Sequence, residues 1–203
     1  MKQILILSAI AVSLSIASAC SSSPETATTN RTANTTTANT ATTNAANTTK
    51  ADDTPAAVKA VFPDAQSFTT QHKDVPADKI ASIEKDTSSK VPDKDHHSYL
   101  AFSTAGGARK QIGAATVVKV GGKDVVIVYE NKGGVPTIKE VRADSVPGAF
   151  LTQFAGKGHD DKFAVGADIK ANGVDEGLAK AIAQAVRIDS MTMQTLYGAA
   201  HSH

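Results

Sequence analysis

The stretch from Ser21 to Asp53 consists largely of Thr, Ala, Asn and Ser, as in Thr28-Thr29-Asn30 and Ala33-Asn34-Thr35-Thr36-Thr37-Ala38. With almost no large apolar side chain to bury, it cannot offset the backbone entropy of roughly 1–2 kcal/mol per residue that ordering costs. A core must therefore come from residues 54–203, a length suited to one domain and rich in Val, Ile, Leu and Phe. Residues 20–53 read as a flexible tether. At about 5–6 Å × √n, such a chain separates the domain from its attachment point by roughly 30 Å. The Asn-Thr-Thr runs at Asn34 and Asn47 match glycosylation acceptors in form only.

Ahead of the tether stand a basic start at Lys2, an apolar run from Ile4 to Ile16, the small residues Ala17-Ser18-Ala19, and Cys20, the one cysteine in the chain. The run is too short to span a bilayer and reads as a secretory signal. Because it stops at a cysteine, it resembles a bacterial lipoprotein signal, although Ala17 stands where such signals most often carry leucine. The resemblance implies a signal peptide over residues 1–19, a diacylglycerol on the Cys20 sulfur and an extracytoplasmic, membrane-anchored location, periplasmic or at the cell surface. The plainer alternative is a secreted protein cleaved after Ala19. A single cysteine excludes an internal disulfide and any multi-cysteine metal or iron–sulfur site. Twenty-one basic residues against twenty acidic ones leave a net charge of only +1, which argues against nucleic acid as a partner.

Within 54–203 the pattern predicts an α+β fold, an antiparallel β-meander packed with short N-terminal helices and a C-terminal amphipathic helix. Thr54-Pro55 offers an N-cap and a first-turn proline for a helix that carries Val58, Val61 and Phe62 and stops at Pro63. Val75-Pro76 opens a second helix, with Ile80 and Ile83 on one face, ending at Thr87-Ser88-Ser89. Strands are expected at Tyr99 to Phe102, Gln111 to Val120, Lys123 to Glu130 and Pro136 to Val141. The glycine pairs Gly121-Gly122 and Gly133-Gly134 suit the positive φ angles of tight hairpin turns. The unbroken run Val125-Val126-Ile127-Val128 predicts a strand covered on both faces, at the centre of the sheet. Leu178, Ala181, Ile182, Ala185 and Val186 recur at helical spacing, with Asn172 or Asp175 available as the cap.

The order of these pieces resembles the FMN-binding domain found in flavin-carrying subunits of membrane redox complexes and related extracytoplasmic proteins. The resemblance rests on Val61-Phe62-Pro63-Asp64-Ala65, the strand pair around Gly121-Gly122, Ser145-Val146-Pro147-Gly148, Phe154-Ala155-Gly156-Lys157, Gly166-Ala167-Asp168 and the final helix. It implies FMN as cofactor, a role in electron transfer and a redox protein as partner, with Pro147, Gly148, Asn172, Gly173 and Asp175 lining the cofactor. The family attaches FMN to a threonine at the start of the final helix. Here Asp175 falls at that position, and a carboxylate offers no hydroxyl to esterify. Asp175 and Glu176 would also repel the phosphate that a helix N-terminus otherwise attracts, by about 4 kcal/mol for unit charges 4 Å apart at an effective dielectric of 20. The expectation is therefore FMN held noncovalently, or no cofactor. Gly113-Ala114-Ala115-Thr116 has the letters of a flavin-attachment turn but lies inside a strand.

His96-His97, His159 with Asp160 and Asp161, and His201 with His203 are candidate metal ligands, since imidazole and carboxylate suit several divalent ions. Against this, adjacent histidines direct their rings apart, His159-Asp160-Asp161 resembles a solvated turn, and a chain end frays. No nucleophile, base and orienting group are recognisable by spacing, so no enzyme is predicted. Beside the flavin reading stand a cofactor-free binding or scaffolding module, and a histidine-based metal-binding protein.

Overall fold

The computed structural model describes residues 53–199; the signal peptide, Cys20, all but the last residue of the tether, His201 and His203 lie outside them. The described chain is an α+β domain. Its elements are α1 (Ala56–Val61), β1 (Ser67–Asp74), α2 (Ala77–Thr87), β2 (Asp95–Ser103), β3 (Lys110–Val120), β4 (Lys123–Lys132), β5 (Val135–Ala143), α3 (Gly148–Leu151) and α4 (Glu176–Tyr197), with a 3₁₀ turn at Thr152–Phe154. The five strands form one antiparallel sheet in sequential order.

Both glycine pairs turn hairpins as expected. Gly121 and Gly122 have φ of 57° and 78°, and Gly133 and Gly134 have 63° and 90°, the positive angles that let a two-residue turn follow the strand twist. The apolar run of β4 is covered on both sides. Val125 and Ile127 enter the core beneath α4, while Val126 and Val128 enter a second core beneath α1 with Phe62, Tyr99 and Ala115. The middle strand of the five is β3, however, because a further strand, β1, lies outside β2.

Strand β1 was not expected from its sequence, SFTTQHKD, which is polar because the strand is an edge with half-exposed faces. It lengthens β2 in turn: pairing runs from Ser67 with Phe102 to Asp74 with Asp95, so His96 and His97 are strand residues. The opposite edge, β5, is met by the Phe154–Lys157 turn, where Ile138 N donates to Lys157 O and Gly156 N donates to Ile138 O, each at 2.8 Å. That contact blunts an open edge.

The first helix starts one residue later than its sequence suggests. Pro55 is the cap residue, its carbonyl accepting from Val58 N and Lys59 N, and the Thr54 hydroxyl makes no capping bond. A threonine cannot cap when the following proline holds the non-helical cap angles itself (φ −55°, ψ 143°). Helix α2 ends at Ser88, which takes the left-handed conformation at φ 53°. A small third core of Val75, Ile83 and Ile188 ties α2 and the β1–β2 ribbon to α4. Among the described residues, no helix is long and apolar enough to cross a membrane.

Candidate functional site

Helix α4 lays Ile182, Val186 and Met193 against the sheet, and Asp189 stands on the same stripe. The Asp189 side chain is 5% exposed. A buried carboxylate is tolerable only with donors around it, and three converge here. Thr116 Oγ1 on β3 and Tyr129 Oη on β4 donate to Asp189 Oδ2 at 2.6 and 2.8 Å, and His96 Nε2 on β2 lies 3.0 Å from Oδ1. Three strands are thus pinned to one helix through one carboxylate. Burial first, then the Asp189 charge, push the Tyr129 phenol well above its ordinary value near 10, so it is the proton donor of the pair. The His96 contact suits the imidazole tautomer that carries its proton on Nε2 and donates to the carboxylate. Among the described residues, His96 Nδ1 is buried without a hydrogen-bond partner.

His96 and Asp189 also reach a cleft of about 550 Å³. Its origin is the sheet register. The β2–β3 ladder stops at Tyr99 with Ala115, so residues 95–98 and 116–120 face one another outside it. The β1–β2 ribbon is held to α2 and α4 instead, and the gap is walled by Val91, Pro92, Val117 and Val118 with Gln184 and Ile188 of α4. The result is a largely apolar slot with backbone edges along two sides and a polar network below. Its volume is in the ordinary range for small-molecule sites.

The other face of β2 carries a second cluster. Because side chains alternate along a strand, Asp95 and His97 point away from His96, and the register places His72 of β1 directly opposite His97. His97 Nε2 is 2.9 Å and His72 Nδ1 is 3.3 Å from the same oxygen, Asp95 Oδ2. The two rings lie 4.1 Å apart at their centres, inclined by 59°. Hydrogen bonding from His97, and then from His72, holds the Asp95 carboxyl below its ordinary range. The adjacent histidines thus do serve opposite faces, as their strand placement requires.

The residues expected to line a flavin are partly brought together. Asn172 Nδ2 donates to Ala149 O at 3.0 Å, which ties the Asn172-Gly173 turn to the Pro147-Gly148 start of α3. Asn172 and Gly173 both have positive φ, 45° and 85°. Asp175 is committed elsewhere: its Oδ1 accepts from Leu178 N at 3.0 Å as the N-cap of α4. With that carboxylate over the free N–H groups and Glu176 beside it, the helix start does not fit a flavin phosphate. None of these five residues lines the β2–β3 cleft. Thr116, within the Gly113-to-Thr116 run, spends its hydroxyl on Asp189. His159 is more enclosed than a solvated turn implies, its side chain 13% exposed and Nε2 3.1 Å from Asp160 Oδ1.

Comparison with known proteins adds no family: no protein-family model, no curated protein and no solved structure matches the chain.

Proposed function

We propose that this chain is a lipid-tethered, extracytoplasmic binding module, attached to a membrane through Cys20, whose domain takes a small ligand in the cleft between β2 and β3. The observation that carries this reading is the early end of the β2–β3 ladder above a buried, fully committed carboxylate. Burying Asp189 and parting two strands both cost stability, and a sheet that only needed to fold would close the ladder and place an aliphatic residue on α4. The lining favours a ligand with an apolar body, for the valines and Ile188, and a hydrogen-bonding edge, for Gln184 and the strand backbone.

A noncovalent flavin associated with electron transfer is the second reading. It is favoured by the bond that joins the Pro147-Gly148 and Asn172-Gly173 turns and opposed by the carboxylates at the start of α4.

Native mass spectrometry of the protein purified from its own host, compared with the acid-denatured chain, separates the two. A bound mass that disappears in Ala181→Phe, which narrows the cleft from an exposed position on α4, supports the cleft reading. Released FMN that persists in Ala181→Phe supports the flavin reading. A chain that carries nothing and gives no saturable quenching of added FMN overturns both.

A further inference from the structure

We propose that His72, Asp95 and His97 form a site for a divalent transition-metal ion of the zinc type, on the β1–β2 ribbon. The three ligand atoms all lie within 4.8 Å of one another. In a tetrahedral zinc centre, metal–nitrogen and metal–oxygen bonds of about 2.0–2.1 Å place neighbouring ligand atoms about 3.3 Å apart. Asp95 Oδ2 already stands 2.9 and 3.3 Å from the two imidazole nitrogens. Coordination would widen the 2.9 Å contact by a few tenths of an ångström and draw the three atoms, all within 4.8 Å, to that common spacing.

The backbone prepares this arrangement. His72 and His97 are a register pair, and Asp95 is two residues from His97 on the same face, within a ladder that runs without a shift from Ser67 to Asp74. Sites built on strands hold their ligands more firmly than loops do. The ligand set is also chemically suited to a cation. Both rings direct a nitrogen at one carboxylate oxygen, so without an ion each must spend a proton there; with both nitrogens deprotonated, three lone pairs converge on one point. Two neutral imidazoles and one carboxylate bring a single negative charge to a doubly positive ion. Imidazole selects zinc, copper or nickel over magnesium or calcium. Side-chain exposures of 28%, 39% and 45% for His72, Asp95 and His97 leave an entry path and room for water to complete the coordination. This is a site separate from the Asp189 network, although Asp95 and His97 also border the cleft.

The test is calorimetric titration of the full chain with Zn²⁺, and with Mg²⁺ as the contrasting ion. Cobalt absorption serves as a second readout of tetrahedral coordination. Stoichiometric zinc binding is expected, without magnesium binding. It should weaken at least about tenfold in His72→Gln and in His97→Gln and survive in the double variant His201→Ala/His203→Ala. Urea midpoints measured without metal keep a folding defect distinct from a lost ligand, and Asp95→Asn serves as the third variant should either glutamine variant fail to fold. No zinc binding, binding that follows the tail histidines, or binding indifferent to His72, Asp95 and His97 would overturn the proposal.

Discussion

Tyr129 donates to an oxygen of Asp189 that also accepts from Thr116, and both hydroxyls are buried. A hydrogen bond to a charged group is worth about 1.5–3 kcal/mol, so Tyr129→Phe should lose about that much stability in urea unfolding near neutral pH. The same residue governs the alkaline limb. A phenol whose folded value is raised adds stability that is fully present below its unfolded value near 10 and is lost as pH rises above it. Tyr99 and Tyr197 are also raised, chiefly by burial. The fully buried Tyr129 contributes a fall of up to about 1.4 kcal/mol per pH unit above that point, and the less enclosed Tyr99 and Tyr197 add smaller falls in the same direction. Tyr129→Phe should make the fall shallower by one such contribution, and an unchanged slope would mean that Tyr129 ionises in the folded protein as readily as in the unfolded one. On the acid side the sign reverses. The lowered Asp95 carboxyl adds stability above its unfolded value near 3.8 that disappears as pH falls through the folded value, so Asp95→Asn should flatten the stability curve below pH 4. Sequence could have pointed to Asp189, since it occupies the apolar stripe of Ile182, Val186 and Met193, where a charge is out of place. Its donors could not be found that way, because Thr116 and Tyr129 are ordinary strand residues until the pairing register brings them under the helix.

At the level of elements, the meander and α4 were legible because their signals are local: glycine pairs that demand positive φ, an apolar run in β4, and a helical stripe with Asp175 at its head. That cap is directly testable. Asp175→Ala removes the acceptor for Leu178 N and should cost about 1 kcal/mol; an unchanged urea midpoint would show that the bond adds nothing. Strand β1 was hidden because an edge strand need not alternate strongly, and with it went the pairing of His72 and His97, a relation that spans an intervening helix. Contact between α1 and β3 was equally unreadable. A Cβ added to Gly113 would strike the Phe62 ring, so the end of α1 packs on a strand surface that lacks a side chain at that point. Gly113→Ala should cost about 1–3 kcal/mol through overpacking. Combined with Phe62→Leu, the two changes should be less than additive, because the second removes the ring that the first strikes. Strict additivity in that double-mutant cycle would mean that the ring moves aside freely.

Considered as a whole, the described domain gathers its three cores from residues between Val58 and Met193, with Tyr197 at their margin. None of its described helices can span a bilayer. The proposed membrane attachment lies in the segment before the domain, where Cys20 is the group with the chemistry to carry a lipid. Replacement of Cys20 by Ala in the full chain, expressed in its own host, should therefore move the protein from the membrane pellet to the soluble fraction. The urea transition of the domain should not change if residues 20–53 behave as the flexible tether their composition predicts, because such a tether couples position without coupling stability. The two readouts separate the roles of the segments. A protein that stays with the membrane after Cys20→Ala would place the anchor in the uncleaved apolar run from Ile4 to Ile16, and a shifted urea transition would mean that the segment before Asp53 packs on the domain despite its composition.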